Sequence, residues 1–117
     1  MKDKIDTIAK IDGRYPAPAI RFVYEGLGYA SRHIKIEPAH VSGQALCSAI
    51  KDLAIERWGR LAGLVLNNWN IRTTRDFGEI VYTMIKHKWM SAQPHDNIED
   101  FDNVYDFQTV FKDQFSF

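Results

Sequence analysis

Apolar residues recur at helical spacing through most of the chain, and one run does so more cleanly than the rest. Phe77, Ile80, Val81, Met84 and Ile85 fall on one stripe, the pattern of a helix with one buried face. Thr73 is placed to cap that helix, its hydroxyl accepting the Asp76 N–H. Asp76 in the first turn and Lys86, His87 and Lys88 in the last complement the helix dipole. Gly78 breaks the pattern. A mid-helix glycine costs about 1 kcal/mol against alanine. It therefore predicts close packing on another backbone, or a ligand touching the helix.

The rest of the pattern divides in the same way. Ile5, Ile8 and Ala9 predict a short helix over residues 2–11, stopped by Asp12-Gly13. Pro16 and Pro18 suit the first turn of a second helix running to about residue 32, where a missing N–H is harmless. Its stripe is Ala19, Phe22, Val23, Gly26, Leu27 and Ala30. Residues 33–36 alternate and predict a short extended piece before Pro38. Ser42 caps a third helix, with Val41 and Leu46 spaced as a hydrophobic staple. Leu46, Ala49, Ile50, Leu53 and Ala54 form its face, and Gly59 ends it. A fourth helix covers about residues 60–69. Asn70 takes the left-handed position after it, and Ile71 falls back on Leu66 as in a Schellman ending. After Met90 come a Pro94-containing loop, a turn of helix near residues 98–103, and a short helix capped by Asp106 with Phe107, Val110 and Phe111 on its face. The expected fold is mainly α. It is a single compact domain of about five helices over residues 1–117, with an aromatic, acidic C-terminal segment (92–117) packed on it.

Charge changes this picture in one respect. Fifteen basic and fifteen acidic side chains cancel, so there is no global pull toward nucleic acid or an anionic membrane. From residue 95 onward, however, six acids (Asp96, Glu99, Asp100, Asp102, Asp106 and Asp113) face one base, Lys112. The simplest account is an acidic tail lying on a basic body. Cys47 is the single cysteine, so no internal disulfide forms, and a reducing, cytoplasmic setting fits. No apolar run approaches 18 residues, so neither a membrane span nor a signal peptide is expected.

Candidate chemistry is sparse. His33, His40, His87 and His95 are scattered, without an i,i+4 pair, and no metal site is expected. Cys47 lies in a core-facing run and reads as a small buried hydrophobe. Asp76 and Glu79 are neighbours one turn apart, and acid–base work there requires shifted pKa values. Thr74, Arg75 and Glu79 open the second helix of a possible helix-turn-helix, against which the neutral charge argues. Lys10, Arg14, Arg21 and Arg32 gather near Asp12-Gly13. They read as a basic surface for the acidic tail or, alternatively, as a phosphate site. No Walker or dinucleotide motif is present. Phe107, Phe111 and Phe115, four apart, read as core or as a docking stripe.

Several motifs resemble the Minf-type family of small conserved bacterial proteins of unknown function. They are Asp12-Gly13-Arg14-Tyr15-Pro16; His40-Val41-Ser42-Gly43-Gln44; Trp69-Asn70-Ile71-Arg72-Thr73-Thr74 with Asp76-Phe77-Gly78-Glu79-Ile80-Val81; and Asp100-Phe101 with Val104-Tyr105-Asp106-Phe107. Asn70 stands where that family usually shows glycine. The resemblance spans nearly the full length and implies no activity or cofactor. A second stretch, Lys10-Ile11-Asp12-Gly13-Arg14, is similar to the opening of the ATP-cone, a regulatory nucleotide-binding domain. Residues 74–85 with Val104-Tyr105 are similar to its closing helices. That likeness implies an N-terminal β-hairpin, where periodicity predicts a helix.

The expectation is therefore a cytoplasmic, non-catalytic domain for interaction or regulation, through a partner protein or self-association. Its surface would be Asp76 and Glu79 with Phe107, Phe111 and Phe115. The alternative is nucleotide sensing by Lys10, Arg14 and Arg21, and the second alternative is DNA binding. No cofactor or metal is expected.

Overall fold

Pro16, in extended conformation, opens the longest helix, and its carbonyl accepts the first amide at Ala19. The computed structural model of the protein describes residues 4–37, 41–89 and 97–112. They form α1 (Lys4–Asp12), α2 (Ala17–Ile34), α3 (Gly43–Trp58), α4 (Ala62–Asn68), α5 (Thr74–Lys86) and α6 (Phe107–Phe111). Two 3-10 turns, Gly59–Leu61 and Ile98–Phe101, complete the order. No strand occurs among the described residues, and no helix there is long and apolar enough to cross a membrane. The domain is mainly α, as the periodicity predicts.

Helix α5 is the hub. Its stripe of Phe77, Ile80, Val81 and Met84 is buried, and it packs against α1, α2, α3 and the Ile98–Phe101 turn. Thr73 and Asp76 form a reciprocal capping box at its start. The Asp76 carboxylate accepts the Thr73 and Arg72 amides at 3.0 and 2.8 Å. Ser42 Oγ caps α3 through the Ala45 amide at 3.1 Å, and Asp106 caps α6.

The helix endings explain the turns between elements. Asn70 is left-handed (φ +66°). Its amide donates to Asn67 C=O at 3.0 Å, and Ile71 donates to Leu66 C=O at 2.9 Å. These two bonds define a Schellman ending, and both apolar partners are fully buried. Lys88 (φ +61°) closes α5 in the same way, through Ile85 and Met84. Lys35 (φ +61°) closes α2. The extended piece expected at residues 33–36 is therefore absent. The helix runs through Ile34, where His33 stacks on Tyr29 and its Nδ1 lies 2.9 Å from the Tyr29 carbonyl. Helix α4 starts at Ala62, later than expected, because Gly59 takes a positive φ of +53° and a 3-10 turn intervenes.

The C-terminal segment packs on this frame through aromatic rings. Phe101 is 5% exposed and lies between two glycines. A β-carbon on Gly78 would stand 2.7 Å from its ring, and one on Gly43 would stand 3.1 Å away. Gly78 thus makes room for a side chain of the same chain, rather than for a backbone or a ligand. Thr74 fastens the segment. Its buried hydroxyl donates to Phe101 C=O at 2.6 Å and accepts the Val104 amide at 3.2 Å. Phe107 and Phe111 meet edge to face, and Phe107 also meets Phe77. A second cluster, Phe22 with Trp58 and Trp69, joins α2 to the α3 and α4 ends.

Candidate functional site

The loop between α1 and α2 carries Arg14 and Tyr15 onto α5. Asp12, at the end of α1, orients Arg14 at 3.0 Å, and Arg14 reaches Glu79 at 3.0 Å and the Thr83 hydroxyl at 3.1 Å. Glu79 also meets Arg75 at 3.1 Å, and Arg75 meets Asp102 at 3.0 Å. Charges alternate along Asp12, Arg14, Glu79, Arg75 and Asp102. This row ties α1 to the C-terminal segment across α5. Glu79 is held below the usual carboxylate range by Arg14 and then Arg75. Arg14 is raised by Asp12 and then by the Glu79 contact.

Beside this row the Tyr15 phenol donates to Asp76 at 2.6 Å. Burial first, and then Asp76, raises the Tyr15 pKa. Asn70 adds a bond from Nδ2 to the Arg14 carbonyl at 3.2 Å. Asp76 is thus closed in by two amides and a phenol. These donors to Asp76 and Glu79 come from within the chain.

The other expected residues are placed as follows. Phe111 is 1% exposed, against Gly63 of α4. Phe107 is half-buried, and Phe115 lies outside the described residues. Lys10 is exposed on α1. Arg14 serves Asp12 and Glu79, and Arg21 lies 3.6 Å from Asp6. Three acids of the C-terminal segment have partners elsewhere. Asp102 goes to Arg75, while Asp100 and Asp106 sit at helix starts and accept amides there. The first turns of α5 are not a free reading face for DNA. Thr74 is buried, Arg75 and Glu79 are paired, and Gly78 lies under Phe101. The N-terminal element is a helix and not the β-hairpin of an ATP-cone. Cys47 is buried on α3, where desolvation pushes its thiol up to about 12.

What does open to solvent is a groove of about 710 Å³. One wall is α4 and the start of α5, with Asn67, Arg72, Thr73 and Arg75. The other is the C-terminal segment, with Asp102, Tyr105, Phe107 and Lys112. Tyr105 is fixed by donating to Cys47 C=O at 2.8 Å, and burial raises its pKa. Sequence reasoning missed Tyr15 and Arg72, and the tether that fixes Tyr105. Tyr15 and Tyr105 act across 61 and 58 residues, a separation that no local pattern signals. The groove falls within the size range of ligand and peptide sites.

Fold and site together define a helical domain with a pre-formed polar–aromatic groove. Comparison with known protein families, curated proteins and solved structures found no match.

Proposed function

We propose that this chain is a non-catalytic interaction module of the cytoplasm, and that a partner protein docks in the groove between α4, the start of α5 and residues 102–112. The observation that carries this reading is the state of the lining groups. Asp102, Arg75 and Tyr105 are already fixed by partners within the chain. The shifts of Arg75 and Tyr105 are upward, away from neutral pH. Such a surface offers prearranged contacts, and neither Arg75 nor Tyr105 is placed to exchange a proton near neutrality. The proposed membership of the Minf-type family brings no activity that competes with this reading. The nucleotide alternative has less support, because Arg14 and Arg21 hold carboxylates of the chain itself.

Asn67 is exposed and lines the groove, so Asn67→Trp blocks it without touching the core. Tagged wild type and Asn67→Trp, matched in melting temperature, are used for nuclease-treated capture from the native cytoplasm. A protein recovered at stoichiometric level with wild type and lost with Asn67→Trp supports the groove. Equal recovery by both forms places the interaction elsewhere. Recovery of the bait alone, at the mass of a monomer, removes the interaction reading.

A further inference from the structure

Five charged side chains line the groove: Arg72, Arg75, Lys112, Asp102 and Asp106. Both carboxylates are used by the chain itself. Asp102 accepts from Arg75 at 3.0 and 3.1 Å. Asp106 accepts the Gln108 amide at 2.7 Å and the Thr109 amide at 3.4 Å. Arg75 is shared further, its Nε donating to Glu79 at 3.1 Å.

Arg72 is different. Its backbone amide serves Asp76, but its exposed guanidinium meets the neutral side-chain oxygen of Asn70. Among the described residues no carboxylate lies within ion-pair distance of it. The Asn70 contact holds the guanidinium beside the groove, and Asn70 is itself held to the Arg14 carbonyl. The aromatic side of the same groove is Tyr105 and Phe107, whose rings stack 6.0 Å apart.

Resting on the groove as the docking site, we infer that its occupant is an acidic peptide segment of the partner. A carboxylate of that segment pairs with Arg72, and an apolar side chain lies on Tyr105 and Phe107. A planar guanidinium with unused donors suits a carboxylate well. A polyanionic nucleic acid or lipid surface fits worse. Its closely spaced phosphates would meet Asp102 and Asp106 on the facing wall, whereas one or two carboxylates placed at Arg72 avoid them.

The test is a selection of phage-displayed random peptides on the immobilised full chain, run in parallel on Asn67→Trp. The expected result is peptides that bind wild type but not Asn67→Trp and are enriched in Asp and Glu. With one such synthetic peptide, Arg72→Glu weakens binding by at least about tenfold, one ion pair being replaced by a like-charge contact. Arg72→Lys keeps binding within about fivefold. Raising the salt from about 0.05 M to about 0.5 M weakens it further. Groove-dependent peptides with no acidic enrichment, or unaffected by Arg72→Glu, overturn the charge inference and leave groove docking standing. Peptides that bind both forms equally, or no enrichment at all, overturn both.

Discussion

The ring of Phe101 occupies the space that a β-carbon on Gly78 would need, with 2.7 Å between them. Alanine is the better helix former by about 1 kcal/mol. Overpacking a filled site costs about 1–3 kcal/mol, and the atoms in the way are the Phe101 Cβ and the base of its ring at 2.7–2.9 Å, not the far end of a flexible side chain. Gly78→Ala is therefore expected to lower stability in urea unfolding. Gly28 is the internal control. A β-carbon there meets the far end of the Arg32 side chain at 3.2 Å, which can swing away. Gly28→Ala is expected to raise stability by about 0.5–1 kcal/mol. Equal effects at the two positions would show that the notch under Phe101 is soft.

Tyr15 and Asp76 form a second coupled pair. Tyr15→Phe removes one donor from a carboxylate that keeps its two amides, and is expected to cost about 1 kcal/mol. Asp76→Ala also removes the cap of α5 and is expected to cost about 2 kcal/mol. Because the residues touch at 2.6 Å, the double variant should lose less than the sum of the two. Strict additivity in chemical denaturation would show that the bond contributes nothing.

The pH dependence has a defined sign on each side. Glu79 is lowered by Arg14 and Arg75, so its contribution is present above the ordinary glutamate pKa. It is lost as pH falls through that value toward the folded-state one. Tyr15 and Tyr105 are raised, so theirs is present below about pH 10 and lost as pH rises above it. Cys47, raised to about 12, adds a loss that begins near pH 9. Urea midpoints should form a plateau between about pH 5 and about pH 8.5, falling on both sides. Glu79→Gln should flatten the acid limb and leave the alkaline limb unchanged.

Three helices close on non-glycine residues in the left-handed region, Lys35 at φ +61°, Asn70 at φ +66° and Lys88 at φ +61°. Glycine there relieves about 1 kcal/mol of strain. Lys88→Gly is expected to raise the melting temperature. Asn70→Gly should gain little or nothing, because the side chain holds the Arg14 carbonyl and the Arg72 guanidinium. A larger gain at Asn70 than at Lys88 would mean that those two bonds are worth less than the strain.

What could be read in advance was local. Leu66, Asn70 and Ile71 announce a Schellman ending because all its contacts lie within six residues. The α5 stripe needs just one turn of periodicity, and Ser42 and Asp106 cap within three residues of themselves. What stayed hidden was non-local. Asp76 and Glu79 look like ordinary surface acids until Tyr15 and Arg14 arrive from more than sixty residues away. The acidic segment looked like a counter-charge for Lys10, Arg14 and Arg21, yet Asp100 and Asp106 serve helix starts and Asp102 serves Arg75. Composition reports how many charges there are, not which donors they will meet. The groove was hidden for the same reason, since its walls come from residues 63–75 and 102–112.

That separation has a consequence during synthesis. The first wall leaves the ribosome well before the second, and with it the bare notch at Gly43 and Gly78. Until Phe101 follows, the space beside Gly43 and Gly78 lacks the side chain that fills it. The groove comes into being only when the chain has been made as far as Lys112, long after its first wall.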